Sequence, residues 1–221
     1  MLKSRIRVFQ HPAKLILVPI VFIFFNCLAV SVLMIKGSSF LEIVPLVILN
    51  GIVFYDLLTR KRSKERDNFN RIALLISFFI FPVAIGSPYL EVALRGSKRI
   101  DLVFFIPGIL TEALGGYLVI SSRRILGTMG TPSLVIEKNH VLINKGLYKH
   151  IRNPMYLGFI CLLIGYSISL CAFISCVLTN TIIIGYLLKR TRIEEKLLEE
   201  KFGNEYLAYK KRTKRFIPWL Y

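Results

Sequence analysis

The apolar residues of this chain come in long uncharged blocks, not in the periodic stripes of a soluble domain. Leu15 to Ile35 is 21 residues without a charge. Phe40 to Leu58 is 19 residues, with Glu42 and Asp56 near its ends. Ile72 to Leu90 is 19 residues without a charge, and Leu102 to Ser121 is 20 with Glu112 as its one charge. Each matches the length of apolar helix that crosses a hydrocarbon core. The fifth block, Met155 to Leu188, is 34 uncharged residues. That is too long for one span and predicts two helices of about 17 residues, the short end of the spanning range, turning near Ser169 to Ala172. The pattern predicts an all-α integral membrane protein of about six transmembrane helices, four plus a C-terminal helical hairpin. The first block is too long for the apolar core of a signal peptide and no small-residue cleavage site follows it, so it is expected to be a span.

Composition sharpens this picture. The 221 residues are 54% hydrophobic, yet 30 Lys and Arg against 13 Asp and Glu give a net charge of +17. So apolar a chain is not a disordered tail. Four Cys and three His are too few and too scattered for a disulfide framework or a zinc site, so no metal is expected. The charge is unevenly placed: residues 1–14, 59–71, 122–153 and 189–221 hold 26 Lys and Arg, and the opposite loops hold 4. The positive-inside rule then puts both termini in the cytoplasm. Anionic lipid headgroups account for the basic face without nucleic acid, for which no motif is present. The chain divides into N-terminal transmembrane helices, 1–121, and a C-terminal region, 122–221, holding a cytoplasmic loop, the hairpin and an amphipathic helix.

The informative polar stretches flank the hairpin. Gly127, Gly130 and Pro132 break any helix, and Gly146 opens a turn. Between them, Leu134 to Ile136 and Val141 to Ile143 read as extended pieces about a turn ending at His140. Tyr148, His150, Arg152, Asn153, Pro154 and Tyr156 then crowd together just before the membrane. Pro154 suits the first turn of the next helix, whose free N–H groups favour a carboxylate. After the hairpin, Arg190 and Glu194 share a helix face. Arg190 to Lys201 reads as an amphipathic helix with Gly203 as its stop. Taken singly, these aromatic and basic residues also suit interfacial anchoring, and Glu194 and Glu195 suit simple pairing with nearby bases. Glu112, with Gly115 and Gly116 close by, is either functional or a helix-packing contact.

Together the two stretches resemble the isoprenylcysteine carboxyl methyltransferase family, which is related to phospholipid N-methyltransferases. The resemblance rests on His140, Leu142, Ile143, Gly146, Tyr148, Arg152, Asn153, Pro154, Tyr156 and Gly158, then on Arg190, Glu194, Glu195, Phe202, Gly203, Tyr206 and Tyr209. It covers roughly residues 123–218. Asn153 stands where the family pattern has His, and an amide carries no charge near neutral pH. The resemblance implies S-adenosyl-L-methionine as cofactor, in a pocket capped by these cytoplasmic segments. It implies cofactor contacts at His140, Val141, Leu142, Ile143, Tyr148, Asn153, Pro154, Met155, Tyr156 and Glu194. Arg190 is implied to face the acceptor as the catalytic and substrate-binding residue.

The chemistry fits residue by residue. No G-x-G-x-x-G follows a strand, so the soluble Rossmann route to this cofactor is absent. Backbone N–H groups beside Pro154 suit its carboxylate, Glu194 its ammonium or ribose hydroxyls, and Tyr148 and Tyr156 its adenine or sulfonium. A carboxylate acceptor is already ionised and needs only positioning and exclusion of water. Arg190 is suited to orient it. The expected acceptor is therefore the carboxylate of a lipidated, isoprenylcysteine-like or lipid-like substrate. A phospholipid amine would need a base, for which Glu194, Glu195 and His150 are the candidates. A non-enzymatic transporter or scaffold is the third alternative. It predicts inverted repeats and broken midplane helices, of which Glu112 is the sole hint.

Overall fold

The computed structural model describes residues 31, 40–59, 83–96, 101–127 and 141–216. The expected span Leu15 to Ile35, the first part of Ile72 to Leu90, the extended piece Leu134 to Ile136 and His140 lie outside the described residues. A 3-10 turn, Phe40–Glu42, leads into α1, Ile43–Thr59. Helix α2 covers residues 83–95. Then come α3, Leu102–Leu126, a 3-10 turn, Gly146–Lys149, and α4, Pro154–Ser169. Helix α5 is Phe173–Phe202 and α6 is Asn204–Arg212. Among the described residues there is no strand, only a parallel bridge between Ile151 and Lys214. Val141 to Ile143 form no regular element.

Helix ends follow from their residues. The Asp101 carboxylate accepts from the Val103 N–H at 2.9 Å and caps α3. Gly127 closes the same helix at φ 51, a backbone region that costs other residues a Cβ clash. The hairpin turn falls at Leu170–Ala172, within the stretch the sequence indicated. The start of α5 is capped from another helix: Glu91 on α2 accepts from the N–H groups of Ile174 at 3.2 Å and Ser175 at 2.7 Å. Arg95 pairs with Glu91 and donates to the Cys171 carbonyl at 2.7 Å, tying α2 to the turn.

One expectation needs correction. The second rod of the hairpin and the amphipathic helix from Arg190 are not separate elements. They form one 30-residue helix, Phe173–Phe202. No Gly or Pro lies between Leu188 and Phe202, so nothing breaks the helical hydrogen-bond ladder where the apolar block ends.

The core is a seam where α3 and α4 run antiparallel with their backbones in contact. Gly108 and Gly115 on α3 meet Gly158 and Gly165 on α4. A Cβ at Gly115 would lie 2.6 Å from the Leu162 backbone nitrogen, and one at Gly165 would lie 2.5 Å from the Glu112 nitrogen. Small residues at such a crossing are what lets membrane helices approach this closely. Gly116 instead faces Ile52 on α1. A buried ion pair between Asp56 and Arg123 joins α1 to the far end of α3, with Nε–Oδ1 at 2.8 Å. Tyr166 donates to the Ile85 carbonyl at 2.7 Å and Tyr89 to the Glu42 carbonyl at 3.0 Å, holding α2 against α4 and the 3-10 turn before α1. Glu112 is fully buried at the seam, and both its oxygens lack a hydrogen-bond partner among the described residues.

Outward faces are apolar: Val47, Phe54, Leu94, Val103, Leu110, Val177 and Ile182 are exposed. By length and composition, α3 and α5 are long and apolar enough to cross a membrane, and α4 is a shorter apolar helix.

The seam gives a direct test. Gly115→Leu forces its side chain into the α4 backbone, and overpacking of this kind costs roughly 1–3 kcal/mol. A Cβ added at Gly185, on α5, would meet nothing within 4 Å, so Gly185→Ala is neutral or slightly stabilising. Thermal unfolding in detergent should separate the two variants. Equal melting temperatures would contradict a backbone-contact seam.

Candidate active site

The two polar stretches come together where α4 begins and the apolar part of α5 ends. Tyr156, in the first turn of α4, donates its hydroxyl proton to Glu194 Oε1 at 2.7 Å. Arg190 Nε–H donates to the same Tyr156 oxygen at 2.7 Å and to Glu194 Oε1 at 2.9 Å. The Arg190 guanidinium also lies 5.8 Å from the Tyr156 ring centroid and donates through Nη1 to the Tyr186 hydroxyl at 3.3 Å. Tyr186, Arg190 and Glu194 sit four residues apart, so one face of α5 presents all three. Arg190 is 9% exposed, which makes this a charged constellation largely withdrawn from water. Its pairings are therefore stronger than the same contacts at an open surface.

The next residue, Glu195, points elsewhere. Its carboxylate is 5% exposed. Oε1 accepts from Arg152 Nε at 3.0 Å and Arg215 Nε at 3.1 Å, and Oε2 from Arg215 Nη2 at 2.8 Å. Arg152 Nη1 continues to the Lys210 carbonyl at 3.1 Å and to the Thr213 carbonyl. Three segments are thereby joined: the approach to α4, the end of α5 and the segment after α6.

The sequence-derived residues are distributed as follows. Tyr156, Arg190 and Glu194 form the constellation. Pro154 opens α4 at its first position as expected, and the side chain of Asn153, the residue before it, makes no cap hydrogen bond to the helix. Met155, half-buried, follows it. Tyr148 is buried, beside Ser122, Arg123 and Glu194, and its carbonyl accepts from the Tyr209 hydroxyl at 2.8 Å. Asn153 turns away from the constellation: its side-chain amide donates to the Arg215 carbonyl at 3.2 Å. Val141 is exposed and Leu142 and Ile143 are half-buried in the irregular lead-in. Tyr186 and Arg215 were missed. Tyr186 was visible as the residue one turn before Arg190, whereas Arg215 carries no spacing signal.

The family model described as phospholipid methyltransferase matches residues 103–205, from the start of α3 into α6. The human protein-S-isoprenylcysteine O-methyltransferase is 36% identical over 166 residues, covering 72% of this chain and 57% of the relative. The Saccharomyces cerevisiae enzyme of the same name is 37% identical over 84 residues, 38% of this chain and 35% of the relative. The chain is similar to members of the isoprenylcysteine carboxyl methyltransferase family. An Arabidopsis thaliana member, protein-S-isoprenylcysteine O-methyltransferase B, is 30% identical over 84 residues and is matched over 43% of its length. The alignments thus span between about a third and three fifths of these relatives. A solved eukaryotic intramembrane Ras methyltransferase of this family shares the fold, with a TM-score of 0.56 at 18% identity, covering 89% of this chain and 74% of that one. The family-matched stretch contains the glycine seam, the hairpin and the constellation.

Electrostatics at Glu195 make a prediction. Burial raises its carboxyl pKa, but the hydrogen bonds and charges of Arg215 and Arg152 outweigh that and leave it below the ordinary value of 4.5. A folded value below the unfolded one gives stability that is fully present above pH 4.5 and is lost as pH falls through the depressed value. The stability difference between the wild type and Glu195→Gln should therefore be constant from neutral pH down to 4.5 and shrink as pH falls from there through the depressed value. A difference that already disappears at mildly acidic pH would contradict the pairing.

Proposed function

We propose that this chain is an S-adenosyl-L-methionine-dependent integral membrane methyltransferase that O-methylates a carboxylate of a lipidated, isoprenylcysteine-like or lipid-like substrate. The observation that carries this reading is the Tyr156–Arg190–Glu194 constellation, which joins the two stretches that resemble the family. Residues 122–221 form the methyltransferase-like region and 1–121 the N-terminal transmembrane part. The uneven distribution of Lys and Arg supports cytoplasmic termini and a site facing the cytoplasm.

The residues fit the cofactor. The start of α4, with the N–H groups of Met155 and Tyr156 and no cap from the Asn153 side chain, suits its carboxylate. Glu194, one-quarter exposed, already accepts from Arg190 and Tyr156 on Oε1, and its other oxygen suits the ammonium or a ribose hydroxyl. The Tyr148 and Tyr156 rings suit the adenine or the cation, and His140 to Ile143 would close over it. When bound, S-adenosyl-L-methionine supplies an electrophilic methyl group on a sulfonium sulfur.

The protein's own work is then placement. Arg190, held at Nε by Tyr156 and Glu194, is the guanidinium at the site that suits an acceptor carboxylate. The acceptor is ionised, so no side chain needs to take a proton. The lipid part of the substrate enters from the apolar outer faces of the helices, while the cofactor enters from water.

The family model's description, phospholipid methyltransferase, favours one alternative: N-methylation of a phospholipid amine. That reaction needs a base. Glu194 is committed to Arg190, and Glu195 to Arg152 and Arg215, so neither is poised to take a proton. Incubation with methyl-labelled cofactor, a prenylated cysteine and phosphatidylethanolamine distinguishes the two. Base-labile label is expected, as from a methyl ester, and Arg190→Lys should lower its rate by about tenfold or more through loss of the planar fork. Base-stable label in phospholipid would favour the amine reading. No transfer to either would overturn the proposal.

A further inference from the structure

The segment after α6, residues 213–216, lies as a strap along residues 150–153. The Lys214 N–H donates to the His150 carbonyl at 3.1 Å, and the Arg152 N–H to the Lys214 carbonyl at 2.8 Å. Phe216 is buried at its end. Arg215 holds this strap at two points. Its carbonyl accepts twice from Asn153, from the backbone N–H at 3.1 Å and from the side-chain amide at 3.2 Å. Its guanidinium grips both oxygens of Glu195, a paired geometry that fixes direction as well as distance.

Asn153 is the residue immediately before α4, and Tyr156 lies within that helix's first turn. The Arg215 contacts therefore secure the α4 entrance from one side, while Glu195 secures it to α5. Tyr156 must bring one hydroxyl within 2.7 Å of both Arg190 and Glu194, an arrangement that tolerates little displacement. Asn153 serves this purpose with an amide donor to a carbonyl, which requires no charge. In this chain the residue at that position anchors the strap.

We infer that Arg215 is a positioning residue: by fastening the strap to Asn153 and Glu195, it sets the first turn of α4 and so the place of Tyr156 between Arg190 and Glu194. This rests on the reading of that constellation as the methyl-donor site, and its effect falls on donor binding.

The test uses the full-length protein in detergent with three variants, Arg215→Ala, Arg215→Lys and Asn153→Ala. Donor affinity is measured by titration with S-adenosyl-L-methionine, and kcat at saturating donor is measured alongside. Hydrogen exchange follows the backbone amides of Arg152, Asn153 and Lys214. Arg215→Ala should weaken donor binding by roughly tenfold, leave kcat within about twofold, and speed exchange at those amides. Arg215→Lys should fall in between, since it keeps the charge and loses the fork. Asn153→Ala should act in the same direction and provides the same readout if Arg215→Ala does not fold. Donor affinity unchanged in variants whose strap amides exchange faster would overturn the inference, as would unchanged exchange. A wild-type protein that binds no donor would instead overturn the functional reading beneath it.

Discussion

The membrane-face site depends on one constraint: α5 runs without a break past the end of its apolar block. Because Phe173–Phe202 is a single rod, the buried hairpin fixes where Tyr186, Arg190, Glu194 and Glu195 sit in space. The helical repeat then divides the work of two adjacent carboxylates. Glu194 faces Tyr156 and Arg190, while Glu195, about 100° around the helix, faces Arg152 and Arg215. One gathers the chemistry and the other holds the surroundings still. A flexible joint after Leu188 would have left Arg190, Glu194 and Glu195 on a mobile segment.

The rod needs a fixed base, and the fold supplies it at both ends of α4. On one side, backbone contact along Gly108, Gly115, Gly158 and Gly165 locks α4 to α3. On the other, Glu91 and Arg95 of α2 clamp the turn that joins α4 to α5. Stability in the membrane interior thus comes from close packing and satisfied helix ends, since apolar area alone gives no preference for helix over lipid. Buried Glu112 lies against that seam next to Gly165, a place consistent with the packing role that the sequence allowed for it.

The elements legible in the sequence were those governed by local rules. Apolar blocks of spanning length marked α1, α3, α4 and α5, Pro154 marked a helix start, and Gly127 and Gly203 marked stops at φ 51. The hairpin turn was legible because 34 uncharged residues exceed one span. Arg190 and Glu194 were legible as a pair from their spacing. What stayed hidden depends on long-range register. Nothing near Arg215 announces that it meets Glu195, 20 residues earlier, or that its carbonyl receives Asn153 from 62 residues earlier. The continuity of α5 was hidden for a different reason: a change from apolar to charged composition looks like a boundary, although the backbone responds to Gly and Pro and not to polarity.

These features give one account of how a charged cofactor and an apolar acceptor would meet at a bilayer surface. The polar ends of two adjacent helices form a donor site, and the apolar faces below them admit the acceptor. Its central claim is that Tyr156 and Glu194 hold a sulfonium methyl donor beside Arg190, which orients the acceptor. Calorimetric titration of the detergent-solubilised protein with S-adenosyl-L-methionine tests this most directly. The account predicts saturable one-to-one binding that Glu194→Ala abolishes in a protein that remains folded. Binding unaffected by Glu194→Ala, or no binding by the wild type, would contradict it.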